Sequence, residues 1–254
     1  MLRLKLLQRG RSTSAPPAPE RAFPPPAPEQ PLAVIGDVHG MAEPFVRLLD
    51  RLAQEAPGAR VICVGDLIDR GEHSAEVLAA VREREIEVIL GNHEEMLLRF
   101  LEAPEREGTR WLRNGGLQTL ASFGIGGVTP SAAPERLVAA RDALRAALGS
   151  EGETWLRGLP RLIVSGNVAV SHAGADPWRP ISQQVPAALS WGHADFGQRA
   201  RTDGLWVVHG HVVVPTPRIQ NGVISIDTGA YAGGPLSAAL IAGGETRFLD
   251  IPGR

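Results

Sequence analysis

Five short stretches of this chain set acidic, imidazole and amide side chains beside glycines. They are Asp37-Val38-His39-Gly40, Gly65-Asp66-Leu67-Ile68-Asp69-Arg70-Gly71, Gly91-Asn92-His93-Glu94, His172-Ala173-Gly174 and His209-Gly210-His211. Asp37 and His39 stand two apart, so both can face one side as the chain leaves an extended run. With Asp66, Asn92, His172 and His211 they make a set of two carboxylates, one carboxamide and three imidazoles. That set exceeds the needs of one tetrahedral zinc and is short of carboxylates for calcium. It suits two first-row divalent ions sharing a carboxylate and a water, with manganese the first expectation and iron or zinc the alternatives. Two ions about 3.5–4 Å apart can acidify a water and clamp both the attacking and the leaving oxygen of an in-line displacement. Arg70 can lay its planar fork on phosphate oxygens. His93 is placed to protonate a departing oxygen, and Asp69 to orient that imidazole.

Each stretch follows an apolar run: LAVIG (32–36), RVICVG (60–65), EVILG (87–91), NVAVSH (167–172) and LWVVHG (205–210). Helical patterns over 42–54, 74–85, 94–100 and 134–148 separate or follow them, and further extended runs are RLIVSG (161–166) and GVISID (222–227). The ending PLSAALIAGGETRFLDI reads as a hairpin. Strands alternating with helices predict an α/β sandwich, with the ligand-bearing loops converging at the carboxyl ends of the strands.

The 254 residues carry 26 basic and 28 acidic side chains, so no global positive field exists to hold a nucleic-acid backbone. No apolar run reaches the roughly 18 residues of a membrane span. One cysteine rules out an intramolecular disulfide or thiolate cage, and Cys63 reads as an inert core residue. Residues 1–31 hold 8 of the 21 prolines. There Arg3, Lys5, Arg9, Arg11 and Arg21 against Glu20 and Glu29 give +3, leaving −5 of the chain's −2 total to residues 32–254. The expectation is a basic, Pro-rich, disordered leader followed by one catalytic domain over 32–254. Without a secretory h-region, a cytoplasmic, monomeric protein is expected.

GDVHG, GDLIDRG, GNHE, SHAG and HGH resemble the signature blocks of the calcineurin-like metallophosphoesterases, and the likeness spans residues 34–240. WLRNGG with TLASFG (111–124) and IDTGAYAGGPLSAAL (226–240) are similar to the middle and final blocks of small bacterial members of the phosphoprotein phosphatase branch. The resemblance implies a metallophosphatase-type four-layer α/β/β/α fold around a central mixed β-sandwich. It implies one ion on Asp37, His39 and Asp66, a second on Asp66, Asn92, His172 and His211, and hydrolysis by activated water. Arg70, His93 and Asn92 are then expected on the phosphate, with Asp69 behind His93. Where the branch supplies a second phosphate-gripping arginine, this chain reads Leu189-Ser190-Trp191-Gly192-His193. His193 is the expected substitute, with Arg199 or Arg201 as alternatives.

The Asp-Arg-Gly and Asn-His-Glu forms favour a serine/threonine protein phosphatase acting on phosphoproteins. A dinucleoside polyphosphate hydrolase, similar to the symmetrical diadenosine tetraphosphatases, is the alternative. Those enzymes tend to lack the aspartate before Arg-Gly and to carry Asp where Glu94 stands. A non-catalytic phosphate-binding module is the remote third reading, disfavoured because all six ligand positions are kept. His209 reads as structural and His73 as solvent-facing. Tyr231 and Asn114-Gly115-Gly116 either approach the substrate or pack and turn in the ordinary way.

Overall fold

The computed structural model describes residues 23–253. Two five-stranded sheets stack face to face. The first runs β10-β9-β1-β2-β3 and contains β1 (Leu32–Ile35), β2 (Arg60–Cys63), β3 (Glu87–Val88), β9 (Pro235–Ala242) and β10 (Glu245–Pro252). The second runs β4-β5-β6-β8-β7 and contains β4 (Leu162–Ser165), β5 (Val168–Ser171), β6 (Trp206–His209), β7 (Arg218–Gln220) and β8 (Val223–Ser225). Both are mixed: β1, β2 and β3 are parallel, as are β5, β6 and β8, while antiparallel strands form three of the four edges, β10, β4 and β7.

The period-2 geometry of a strand sorts the core into layers. Leu32 and Val34 point between the sheets, where they meet Val168, Val170, Val208 and Ile224. Ala33 and Ile35 point outward, into a core shared with helices α1 (Ala42–Glu55), α2 (Ser74–Glu83), α3 (Asn92–Glu102), α4 (Pro104–Trp111), α5 (Leu117–Ser122) and α6 (Pro134–Gly158). In α1, Phe45, Leu48, Leu49 and Leu52 recur at helical spacing and are all buried. The outer face of the second sheet has a thinner cover, with α7 (Pro186–Trp191) setting Leu189 against Ala169 and Val207. The expected four-layer α/β/β/α sandwich is the observed one. Among the described residues no helix is long and apolar enough to cross a membrane.

Three elements depart from expectation. α6 continues past residue 148, because Gly149 (φ 69°) breaks its axis without ending it and the second segment still buries Leu156. β3 is only Glu87–Val88: Ile89 still donates to Cys63 O at 2.9 Å, but Leu90 turns away to donate to Pro160 O at 2.7 Å. β7 is exposed along its length, so it carries no apolar alternation to announce it.

The expected leader divides. Its part at 1–22 lies outside the described residues, whereas 23–31 is extended, as its prolines require, and packs on the second sheet. Asn167 holds it with both ends of its amide, accepting from Ala27 N at 2.6 Å and donating to Pro25 O at 2.9 Å. Trp206 Nε1 donates to Pro24 O at 2.7 Å and the Trp206 ring meets Phe23 edge-on at 5.0 Å. The folded unit therefore begins before residue 32. Replacing Asn167 with Ala removes two bonds at a partly exposed site and should lower unfolding free energy by about 1–2 kcal/mol. A shift of the urea midpoint, with faster protease nicking within 23–31, checks it.

Candidate active site

The carboxyl ends of β1, β2, β3, β5, β6 and β8 gather at one end of the sandwich. Bonds between neighbouring loops extend each sheet there: His39 N donates to Asp66 O (2.8 Å) in the first, and Gly210 N to His172 O (2.9 Å) and Ile226 N to His209 O (3.0 Å) in the second. His172 Nδ1 reaches across to Val64 O at 2.9 Å, and His211 N donates to both Asp37 oxygens at 3.1 Å. Gly210 fits because a side chain there would place Cβ 1.8 Å from Asp37 Oδ1. Among the described residues, His39, Asp66, Asp69, Arg70 and His211 are five of the seven non-glycine residues with left-handed φ. Such conformations cost about 1–3 kcal/mol each and persist only where the surroundings impose them.

The structure brings the six expected ligands together around Asp66. His39, Asp66 and His93 form one group whose donor atoms lie within 4.8 Å of one another, and Asp66, His172 and His211 form another. Asn92 Oδ1 joins the second at 2.8 Å from His172 Nε2 and 2.9 Å from His211 Nδ1. Asp37 is buried beside them through His211 N. His93 enters the first group where Asp37 was expected, but its Nδ1 is already committed to Asp69 Oδ2 at 2.7 Å.

The chemistry of this donor set fits divalent cations. His39 Nδ1 donates to Ile68 O (2.8 Å) and His172 Nδ1 to Val64 O, so in each neutral ring Nε2 carries a lone pair. Those lone pairs face acceptors: His39 Nε2 lies 3.6 Å from Asp66 Oδ2, and His172 Nε2 lies 3.4 Å from Asp66 Oδ1. Burial keeps the rings neutral, bringing His39 down to about 3 and His211 to about 4, and lowering His172 as well. Burial also lifts Asp37 well above the carboxylate range, helped by the charges of Asp227 and Asp66. Asp66 goes the other way: burial opposes ionisation, but the rings of His172, His93 and His39 hold it below its usual value. Imidazole lone pairs and carboxyl oxygens converge around Asp66, the arrangement that cations relieve.

Asp69 is held from three sides. Trp111 Nε1 donates to it at 3.0 Å, Thr119 Oγ1 at 2.6 Å, and His93 Nδ1 from the front. Burial works against a protonated His93, but the charge of Asp66 and the bond to Asp69 outweigh it and raise its pKa. Arg70 Nη2 stands 3.3 Å from His93 Nε2, and its guanidinium lies 4.4 Å over the Tyr231 ring, which in turn meets His39 edge-on. Gly115, at φ 108°, lets the helical turn Leu112–Gly116 lie against this loop, since a Cβ there would be 2.4 Å from Arg70 N. Gly115 and Tyr231 are thus parts of the wall around Arg70, whereas Asn114 Nδ2 donates back to Arg110 O at 2.8 Å and Gly116 packs on Trp111.

His193 is not brought to the cluster. Its Nδ1 accepts from Asp195 N at 3.2 Å and its Nε2 faces Asp176 at 3.9 Å. Arg201 is tied to Asp203 and to the carbonyls of Asp176 and Arg179, while Arg199 lies on Trp178. Neither arginine takes the expected place. His209 is structural, as expected, bonding Ser225 Oγ at 2.8 Å.

Sequence reasoning gave no role to Asp227, Trp111, Thr119 or Glu94. Asp227 is buried just past β8 and so obeys the same strand-end rule as the other acids. Glu94 accepts from Asp66 N (2.9 Å), Leu67 N (2.7 Å) and Gly91 N (3.0 Å), a brace between two ligand loops. Burial, aided by the charge of Asp66, raises Glu94 to about 7.

This fold and this site are those of a metal-binding phosphoesterase, and the chain belongs to the calcineurin-like phosphoesterase family, whose sequence profile matches residues 30–215. Members of this family hold two divalent metals. Among its relatives, the asymmetrical bis(5'-nucleosyl)-tetraphosphatase of Halalkalibacterium halodurans is 27% identical over 251 residues, covering 87% of this chain and 93% of that one. Serine/threonine-protein phosphatase 1 of Salmonella typhimurium is 37% identical, but over 83 residues, a third of this chain. A crystal structure provisionally named a diadenosine tetraphosphatase superposes with a TM-score of 0.63 at 22% identity, covering 89% of this chain and 95% of that one, and supports the fold.

These relatives overturn the expectation of a serine/threonine protein phosphatase acting on phosphoproteins. The structure supplies the physical reason. Asp69 and Glu94, the two residues that favoured that branch, are turned inward, one onto His93 and the other onto backbone amides, so neither can sort phosphoproteins from dinucleotides.

Since burial raises the carboxyls of Asp37 and Glu94, Glu94 to about 7, divalent-ion binding at pH 6 should expel protons from this pair, while the already neutral histidines contribute little. Calorimetric titration with Mn2+ in two buffers of different ionisation enthalpy should show this release, larger at pH 6 than at pH 8. Buffer-independent heats at pH 6 would contradict the assignment.

Proposed function

We propose that this chain hydrolyses dinucleoside tetraphosphates at a phosphoanhydride bond nearer one end, giving a nucleoside monophosphate and a nucleoside triphosphate. The supporting observation is the match to asymmetrical tetraphosphatases along nearly the whole chain, joined to a site that offers metal donors, one arginine fork and a buried His–Asp pair. Two divalent ions, for which we propose manganese, would sit on Asp37, His39, Asp66, Asn92, His172 and His211 and would supply an acidified water and charge neutralisation at phosphorus.

The protein's own groups then account for the rest. Arg70 faces the cluster and can pair with non-bridging oxygens as charge builds at phosphorus. The incoming water oxygen bonds to phosphorus, the bridging P–O bond breaks, and its electron pair stays on the departing phosphate. His93 Nε2 can give that oxygen a proton while Nδ1–H remains on Asp69, whose donors from Trp111 and Thr119 keep the ring in one orientation. No side-chain nucleophile is needed, so no covalent intermediate is invoked.

Diadenosine tetraphosphate incubated with the Mn2+-supplemented protein should yield AMP and ATP in equal amounts. ADP as the sole product would mean symmetrical cleavage, and faster release of phosphate from a phosphopeptide would sink the proposal. His93→Asn should lower kcat about 10²-fold, the lower end of general acid–base contributions, because a phosphate leaving group needs less protonation than an alkoxide.

A further inference from the structure

Around the site, charge and apolar surface are segregated. Arg70 follows a strand of the first sheet, whereas Trp178, Val212 and Val213, three of the most exposed large apolar residues, come within six residues after His172 or His211, which follow strands of the second. Trp178 is 60% exposed, a poor place for a tryptophan that does nothing, and it is held with unusual care. Its backbone N donates to Asp176 Oδ1 at 2.8 Å, closing a turn whose Asp176 N is fixed by Gln184 Oε1 at 2.7 Å. Its ring Nε1 donates to Asp195 Oδ2 at 2.7 Å, and the Arg199 guanidinium covers one face at 4.5 Å from the ring centre.

Asp195 and Arg199 belong to the loop after α7. That loop is itself anchored at the site, because Phe196 packs against Gly174 and meets the His209 ring edge-on at 4.8 Å. Trp178 stands six residues beyond His172, at most about 20 Å along an extended chain. A nucleoside carried on a short phosphate chain can cover that distance. The result is a rigid, flat aromatic surface with one face occupied by a cation and the other open to solvent. An indole pinned in this way loses little entropy when a second ring stacks on it.

We infer that the open face of Trp178 is the stacking platform for a purine base of the nucleotide whose phosphates enter the metal cluster. This subsite rests on the proposed activity for its substrate, yet it can be tested without it. Binding of AMP, with ribose 5-phosphate as the base-free control, is read by tryptophan fluorescence at constant divalent metal. Kinetics on diadenosine tetraphosphate and p-nitrophenyl phosphate are compared for wild type, Trp178→Ala and Trp178→Phe.

AMP, but not ribose 5-phosphate, should quench the wild type, and the quench should vanish in both variants. KM for diadenosine tetraphosphate should rise roughly tenfold in Trp178→Ala, the size of one base–aromatic stack, and recover in large part in Trp178→Phe. The ratio of kcat/KM for the dinucleotide to that for p-nitrophenyl phosphate should fall by a similar factor in Trp178→Ala. A wild-type KM in Trp178→Ala overturns the subsite, as does a quench that survives the substitution or that ribose 5-phosphate reproduces. Should wild type fail to cleave diadenosine tetraphosphate, the proposed activity falls, and the AMP quench alone then decides the platform.

Discussion

Six side chains crowd their oxygen and nitrogen donors into one end of the sandwich, and the rest of the molecule follows from that confrontation. Asp66 sits at its centre, with His39 Nε2 and His172 Nε2 3.6 and 3.4 Å away, each with its other nitrogen spent on a backbone carbonyl. A single sheet edge could not assemble the set. His39, Asp66 and Asn92 follow strands of one sheet, and His172 and His211 follow strands of the other. Two sheets must therefore stack with their carboxyl ends aligned, and the apolar layer between them, from Leu32 and Val34 to Val208 and Ile224, sets that alignment.

The same assembly explains where the backbone is strained. Left-handed φ at His39, Asp66, Asp69, Arg70 and His211 turns side chains inward within two to seven residues of a strand end. What holds them is a set of short cross-braces: the Glu94 carboxylate gripping three amides, Asp66 Oδ1 accepting from His93 N at 3.0 Å, and Asp37 capping His211 N. The braces are themselves carboxyls packed at or beside Asp66, and burial together with its charge is what raises Asp37 and Glu94.

The ligand loops are legible in the sequence because each couples a β-branched run to Asp, Asn or His beside glycine, and five such couplings in one chain leave little room for chance. The sheets are legible for the same reason, down to Leu32–Ile35, buried on both faces. What escapes falls into two kinds. β7 is exposed and polar, so hydrophobic periodicity is silent there, although the Asn221-Gly222 pair that turns it into β8, with φ of 53° and 77°, is a hairpin signal. The discrimination between phosphatase and tetraphosphatase escapes for a deeper reason. Asp69 and Glu94 look like functional choices in a string of letters, yet both face the scaffold, while Trp178, which faces solvent, belongs to no recognisable block. His193 was expected to act by its position in a block, but a rim loop carries it to Asp176 and Asp195 instead.

β1 lies between β2 and β9, so the first strand among the described residues is completed on one side by residues more than 200 positions later, Leu32 pairing with Ile241 and Ile35 with Ala238. A nascent chain emerging from the ribosome therefore cannot finish the sheet that carries Asp37, His39 and Asp66 until the β9–β10 hairpin is free. Until then β1 exposes an unpaired edge, a template for stray strands. Closing so long a loop is entropically slow, and cofactor loading has to wait for it. Metal capture is in this sense a report that the β9–β10 hairpin has been made and has docked on β1.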